Sequence, residues 1–106
     1  MNKNDIMTVI NQANTNADIK WSILENAESK IVLTNSYDTC VKYTIEVKRE
    51  VEDGLNEEWI TVRDNHMQCT VAMLMKGDTR WDDYKDTKHG IILAIQHAVH
   101  NFNHLY

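Results

Sequence analysis

The sequence has no long apolar run, few arginines and only two cysteines, and each shortage excludes a class of protein. No apolar run could span a bilayer, so we expect no membrane insertion. Cys40 and Cys69 form no C-x-x-C pair, which favours a reducing compartment over a disulfide scaffold. With three arginines and a net charge of −5, the chain lacks the basic patch that binds phosphates. We therefore expect no direct nucleic-acid binding.

Catalytic signatures are also missing. The chain contains no G-x-S-x-G elbow around a nucleophile, and neither of the glycine-rich patterns that bind nucleotide phosphates. We therefore expect a protein that is not an enzyme and has no cofactor. The start, "MNKNDIMTVINQ", lacks the pattern of a signal peptide, so the expected location is the cytoplasm.

The length and the apolar content predict one folded domain spanning residues 1–106. A chain of 106 residues with 42% apolar residues can bury one core. Residues 4–14 show apolar residues at helical spacing after a cap at Asn4 or Asp5, which predicts a short helix. Its apolar stripe comprises Ile6, Met7, Val9, Ile10 and Ala13.

Five segments then read as strands, and the clearest of them alternate apolar and polar residues. The first strand places Ile19, Trp21 and Ile23 on one face. The others are "SKIVLTN", "CVKYTIEVKREV", "EWITVRD" and "MQCTVAMLM", and the third has the clearest alternation. Arg49 falls on its apolar side, near the strand end or a pocket. The D-G step in "EDGLN" predicts a hairpin turn. The last strand is apolar on nearly both faces, so we expect it inside the sheet, with Val71 and Met73 buried.

A long helix is predicted from about Asp86 to the end, with Asp86 or Thr87 as its cap. Its apolar face comprises Ile91, Ile95, Ala98, Phe102 and Leu105. Short connections favour an antiparallel meander of about five strands, with both helices packed on it. The predicted class is therefore α+β, in two layers.

Three histidines share the opposite face of this helix. His97, His100 and His104 lie within roughly 60° of one another, at about 100° per residue. Such spacing permits zinc binding, but no acidic ligand within the helix joins the stripe. We interpret it as a solvated face that binds no metal, with a partner interface as an alternative.

Two acidic clusters and one aromatic loop remain. Glu50, Glu52, Asp53, Glu57 and Glu58 surround the hairpin turn, and the other cluster comprises Asp78, Asp82, Asp83 and Asp86. Both clusters suit solvated loops, and either could meet a basic partner. The stretch "KGDTRWDDYKDTKHG" contains Trp81 and Tyr84, which a polar loop does not need unless their rings pack or bind.

This loop is the candidate binding site. Arg80, Trp81 and Tyr84 are the predicted contacts, because Trp, Tyr and Arg dominate binding energy at interfaces. Trp21 and Arg63 are the predicted helpers, and Asp82 and Asp83 would matter for a basic partner. Two alternatives stay open: Trp21 packs in the core, and Trp81 folds back over it. Trp59 would cover an edge of the sheet.

The plan from "NDIMTVINQ" through the sheet to "TVAMLMKGDTRWDDYKDTKHGIILAIQHAV" resembles two families of small phage proteins. One comprises anti-CRISPR inhibitors whose acidic surface occupies a DNA-binding groove of the effector nuclease. The other comprises sponge proteins that sequester the cyclic nucleotide signals of Thoeris-type immunity. The resemblance concerns architecture, and it implies action inside a bacterial host cell on an immune effector protein or a cyclic nucleotide signal. The alternative is a structural protein that forms homo-oligomers through the polar sheet face or the histidine stripe.

Overall fold

The computed structural model describes residues 3–77 and 79–106. Five antiparallel strands form one open sheet in the order β1-β2-β3-β4-β5, and a helix stands at each end of the chain. This confirms the predicted α+β meander. The elements are α1 (Lys3–Asn14), β1 (Trp21–Asn26), β2 (Lys30–Asn35), β3 (Lys42–Glu52), β4 (Leu55–Asp64), β5 (Cys69–Met75) and α2 (Thr87–Leu105).

The longest hairpin joins β3 to β4 through the predicted D-G turn. Asp53 and Gly54 both have positive φ angles, 49° and 83°, as a two-residue hairpin turn of type I′ requires. Ten residue pairs follow, from Glu52 with Leu55 to Tyr43 with Asp64. This ladder fixes which residues share a face of the sheet.

One face of the sheet is covered by the helices and forms the core. Helix α2 crosses β3, β4 and β5, whereas α1 packs against α2 and β1. Inward residues alternate along each strand, as in Tyr43, Ile45 and Val47 of β3. Burial of this apolar face removes water from it and is the main stabilising contribution to such a fold. Neither of the two helices in the described ranges covers the other face.

Helix α2 begins where the sequence predicted. Asp86 is the N-cap, and its carboxylate accepts a hydrogen bond from the His89 amide at 2.9 Å. Ile91, Ile95 and Ala98 are buried, as expected, together with the fully buried Phe102.

Several finer expectations were wrong. The fifth strand lies at an edge of the sheet and not inside it. Apolar residues on both faces of a strand do not imply that it has a neighbouring strand on both sides. Val71 is half-buried, and Met73 is 56% exposed because it points to the uncovered face. Leu105, in the last turn of α2, and Met7 of α1 are also exposed rather than in the core. Ile19 precedes β1 and is half-buried.

A side chain closes part of the free edge of β1. Asn14, the last residue of α1, donates from Nδ2 to the Trp21 carbonyl at 2.9 Å and accepts from the Trp21 amide at 2.7 Å. The amide group thus takes the place of a neighbouring strand at this position, which blunts the edge.

Within the two described ranges, no helix is both long enough and apolar enough to cross a bilayer.

Candidate functional site

An Arg–Trp pair lies exposed on the loop between β5 and α2. The guanidinium carbon of Arg80 lies 4.5 Å from the centre of the Trp81 ring, as in a cation–π pair. Trp81 is 80% exposed, the largest exposed fraction among the large apolar residues described. The interpretation in which Trp81 covers the core was therefore wrong. The next three residues explain how the pair is presented.

Asp82 folds the loop onto itself. Its Oδ2 accepts hydrogen bonds from the Thr79 amide and hydroxyl, both at 2.8 Å, and these bonds lower the pKa of the carboxyl group. Gly77 makes room for this carboxylate, since a Cβ there would clash with it. Asp82 thus binds Thr79 within the same loop.

Asp83 attaches the loop to the free edge of β5. Its Oδ2 accepts from the Met75 amide at 2.8 Å, and its own amide donates to the Met75 carbonyl at 3.0 Å. The carboxylate therefore closes the end of this edge strand, as Asn14 does at β1. Each aspartate thus uses its Oδ2 atom within the fold.

Tyr84 anchors the loop in the core and is not a surface contact. Only 2% exposed, it donates its hydroxyl hydrogen to Glu58 Oε2 at 3.0 Å. Burial, followed by this bond and the charge of Glu58, raises the pKa of Tyr84 well above its ordinary value. The ring also packs against Gly90 of α2, where a Cβ would come too close. We therefore remove Tyr84 from the predicted contacts and assign it as the anchor.

Glu58 is the centre of this network. The carboxylate is buried and accepts from Arg49 Nε at 2.9 Å, from Tyr84 and from the Thr87 hydroxyl, while Lys76 Nζ lies 3.8 Å away. A buried carboxylate is costly without partners, and Glu58 has them on both oxygens. The network joins β3, β4, the loop and the start of α2.

A cationic cleft opens beside this network. It measures about 350 Å³, and its lining includes Gly77 at the start of the loop. Its lining contains three cations, Arg49, Lys76 and Lys85, and two acids, Glu57 and Glu58. Arg49 and Lys76 approach Glu58. This arrangement can receive an anionic group, since Lys85 forms no ion pair with another described residue. Arg49 therefore reaches a pocket, one of the two interpretations of its place on β3.

The structure does not bring the two predicted helpers to the loop. Trp21 is 3% exposed and packs against Tyr43 and Phe102, with ring centres 5.9 and 5.5 Å away. It lies on β1, at the opposite edge of the sheet from β5. The core interpretation of Trp21 is therefore confirmed, and we remove it from the site.

Arg63 is exposed, but it lies near the other end of β4 from the loop. Its neighbours across the sheet are Thr44 and Thr70, whereas Trp59 pairs with Met75 beside the loop. Four residues of strand separate Arg63 from Trp59, or about 13 Å. We therefore separate Arg63 from the candidate site. Trp59 is half-buried on the uncovered face, between β3 and the edge strand β5.

The histidine stripe faces solvent, as predicted. His97, His100 and His104 are exposed, and the rings of the last two are stacked 6.4 Å apart. Among residues 3–77 and 79–106, no three His, Cys, Asp or Glu side chains are grouped as a metal site would require. Asp78 of the predicted acidic cluster lies outside the described residues.

Sequence reasoning missed two buried carboxylates on β4. Glu58 and Asp64 alternate with Ile60 and Val62 on the covered face, so the period of two in "EWITVRD" could have revealed them. Asp64 accepts from the amides of the β4–β5 turn and, at 2.9 Å, from the Tyr106 hydroxyl. Each carboxylate fastens one end of β4 to a neighbouring segment.

Comparison with known proteins gives no relative: no family model, no curated protein and no solved structure matches the chain.

Proposed function

We propose that the protein is a non-catalytic anti-defence binding protein of the phage type, which blocks or sequesters a component of bacterial immunity by occupying it. The observation that carries the binding role is Trp81, which is 80% exposed on a loop whose following residues are all fixed. The anti-defence setting is supported by the architectural resemblance of the sequence to small phage inhibitors.

The energetics favour a contact role for Trp81. A buried Trp ring removes about 150–250 Å² of surface from water. At about 25 cal/mol per Å², this is worth roughly 4–6 kcal/mol before the costs of association. Trp81 contributes none of this to the fold, so the gain is available to a partner. Asp82, Asp83 and Tyr84 fix the loop beforehand, which reduces the entropy lost on binding.

An immune effector protein is the first candidate for the partner. The net charge of −5 favours a basic protein surface. The β3–β4 turn adds four exposed acids around Val51 and Leu55, which are 74% and 66% exposed. These acids are Glu50, Glu52, Asp53 and Glu57. Asp82 and Asp83 each use one carboxylate oxygen within the fold, so these turn acids join them as the predicted contacts with a basic partner.

A nucleotide signal is the second candidate, and the cationic cleft favours it. Arg49, Lys76 and Lys85 would meet the phosphates, and a base would stack on Trp81 beside Arg80.

Native mass spectrometry on protein purified from a bacterial host with an active immune system tests this proposal. We expect wild type to carry either an immune effector or a nucleotide, and Trp81→Ala to lose it with an unchanged melting temperature. Met67→Ala, at a 59% exposed apolar residue in the β4–β5 turn, is the control and should retain it. If wild type and Trp81→Ala retain the same species equally, the loop is not the binding site.

A further inference from the structure

The uncovered face of the sheet carries a partly exposed apolar patch. Trp59 is half-buried, and beside it on β5 Met73 and Met75 are 56% and 41% exposed. Trp59 pairs with Met75, and Thr61 pairs with Met73, so these side chains lie together. Exposed apolar clusters of this kind on a regular surface mark interfaces.

Charged residues surround this patch in an arrangement that reverses sign about its centre. The centre is the row in which Val47, Ile60 and Leu74 pair across β3, β4 and β5. On β3, Lys42 lies five residues before Val47 and Glu52 lies five residues after it. Glu46 and Lys48, again of opposite charge, are the residues directly before and after Val47. On β4, Glu57 and Arg63 lie three residues to either side.

We propose that this face binds a second copy of the chain. The two copies are related by a two-fold axis that lies between their faces, directly above the Val47–Ile60–Leu74 row and perpendicular to the strands. Such an axis places each strand over the same strand of the second copy, running in the opposite direction. A residue on one side of the row therefore faces the residue at the same distance on the other side of the row in the second copy. Each face then meets opposite charge: Lys42 meets the second copy's Glu52, Glu46 its Lys48, and Glu57 its Arg63. On β5, Met73 meets Met75.

None of these six charged side chains forms an ion pair with another described residue. Glu50 and Glu57 even stand directly opposite each other across the hairpin, and like charges in that position destabilise a sheet. In the dimer, Arg63 of the second copy meets Glu57 and lies beside Glu50. The proposed partner thus relieves a repulsion that the single chain contains.

A second copy fits better than an unrelated basic or acidic partner. Between the Lys42 row and the Lys48 row, the uncovered face of β3 and β4 carries three cations, Lys42, Lys48 and Arg63, and one acid, Glu46. The adjoining hairpin carries acids, so a partner of one sign would be repelled at one end. A two-fold axis parallel to the strands fails as well, because it places each row over itself. Over β3 it stacks Lys48 on Lys48, and over β4 it stacks Glu57 on Glu57 and Arg63 on Arg63.

The two copies overlap only where strand residues lie on both sides of the row. This holds for all of β3, nine residues of β4 and three of β5, because β1 and β2 lie wholly on the Lys42 side of the row. At about 3.3 Å per residue and 4.8 Å per strand, the overlap has a projected area of roughly 360 Å² per copy. This is smaller than the 800 Å² or so per partner of a standard interface, so we expect a weak dimer that forms at high protein concentration.

The test uses two charge reversals, Arg63→Glu and Glu57→Arg. Each alone places like charges together twice in the symmetric dimer. In a mixed pair, the copy with Arg63→Glu has acids at positions 57 and 63, and the copy with Glu57→Arg has arginines at both. Each acid then faces an arginine, so both contacts between positions 57 and 63 are restored. Six residues of strand, about 20 Å, separate the two positions within a chain, which excludes repair inside one molecule.

Sedimentation equilibrium measures the outcome. At high protein concentration, we expect wild type at twice the 12.4 kDa chain mass. Each variant alone should dimerise roughly tenfold to hundredfold more weakly, and an equimolar mixture should recover affinity to within about threefold of wild type. Asp18→Arg, a charge reversal at an exposed residue of the segment between α1 and β1, is the control and should stay dimeric. Circular dichroism confirms that each variant is folded.

Three results would overturn the proposal. Wild type could sediment as a single chain up to about 1 mM, where even weak dimers form. Arg63→Glu could dimerise as well as wild type. The mixture could also stay as weak as its folded components, which would show that positions 57 and 63 do not meet.

Discussion

The Tyr84 hydroxyl donates to Glu58 Oε2 at 3.0 Å, across 26 positions of sequence, and this bond fixes the candidate binding loop to the sheet. Both groups are buried, so water cannot replace either partner. The exposed Arg80–Trp81 pair therefore stands on a loop that Tyr84 anchors in the core.

We expect Tyr84→Phe to lower the free energy of unfolding by about 1–3 kcal/mol, because the buried Glu58 carboxylate loses a donor. Urea denaturation measures this. Tyr37→Phe is the matched control, since Tyr37 is 68% exposed, and it should change stability by less than about 0.5 kcal/mol. Equal effects of the two substitutions would show that the bond contributes nothing.

Gly90→Ala sets two effects against each other. Alanine in place of glycine inside a helix stabilises by about 1 kcal/mol. However, the new Cβ would lie 2.7 Å from Ile60 Cδ1 and 2.7 Å from Tyr84 Cδ2. Overpacking of this kind costs typically 1–3 kcal/mol, so we expect a net destabilisation in thermal unfolding. A raised melting temperature would contradict the close packing of the Tyr84 ring on α2.

Phe102→Ala should cost roughly 3–5 kcal/mol of stability. The ring is fully buried, edge-on to Trp21 at 5.5 Å and stacked on Tyr106 at 4.9 Å. Leu105→Ala, on the same helix at a 56% exposed position, is the control and should cost less than about 1 kcal/mol. A loss below about 1 kcal/mol at Phe102 would mean that α2 presents a different face to the sheet.

Stability should fall in alkali. Burial, and then the hydrogen bond and charge of Asp64, raise the pKa of Tyr106 from 10.0 to about 12. Because the folded state binds this proton more tightly, the contribution is complete below pH 10 and is lost as the pH rises to about 12. The melting temperature of wild type should therefore fall more steeply over this range than that of Tyr106→Phe. Parallel curves would rule out this linkage.

The fold was predictable because its signals are local. Alternation in "CVKYTIEVKREV", the Asp53–Gly54 turn and the Asp86 cap each act within a few residues, and all three appear in the structure. The position of β5 was not predictable in this way. Its apolar residues serve two different faces, and only one face is covered by helices.

The candidate site was predictable in place but not in detail. The sequence indicates that a loop with Trp81 and Tyr84 needs an explanation, yet it gives the two rings similar weight. Which ring is buried depends on Glu58, a residue 26 positions away that offers Tyr84 an acceptor. The inward turn of Asp82 and Asp83 likewise depends on backbone amides that become available only once the loop has folded.

The measurement that tests the central claim most directly is phage protection in a host with active immunity, compared between wild type, Arg80→Ala and Trp81→Ala. Both side chains are exposed, so we expect both variants to keep the wild-type melting temperature and to lose most of the protection. Met67→Ala should protect as wild type does. Full protection by both loop variants, at wild-type stability, would contradict the claim that this loop is the binding site.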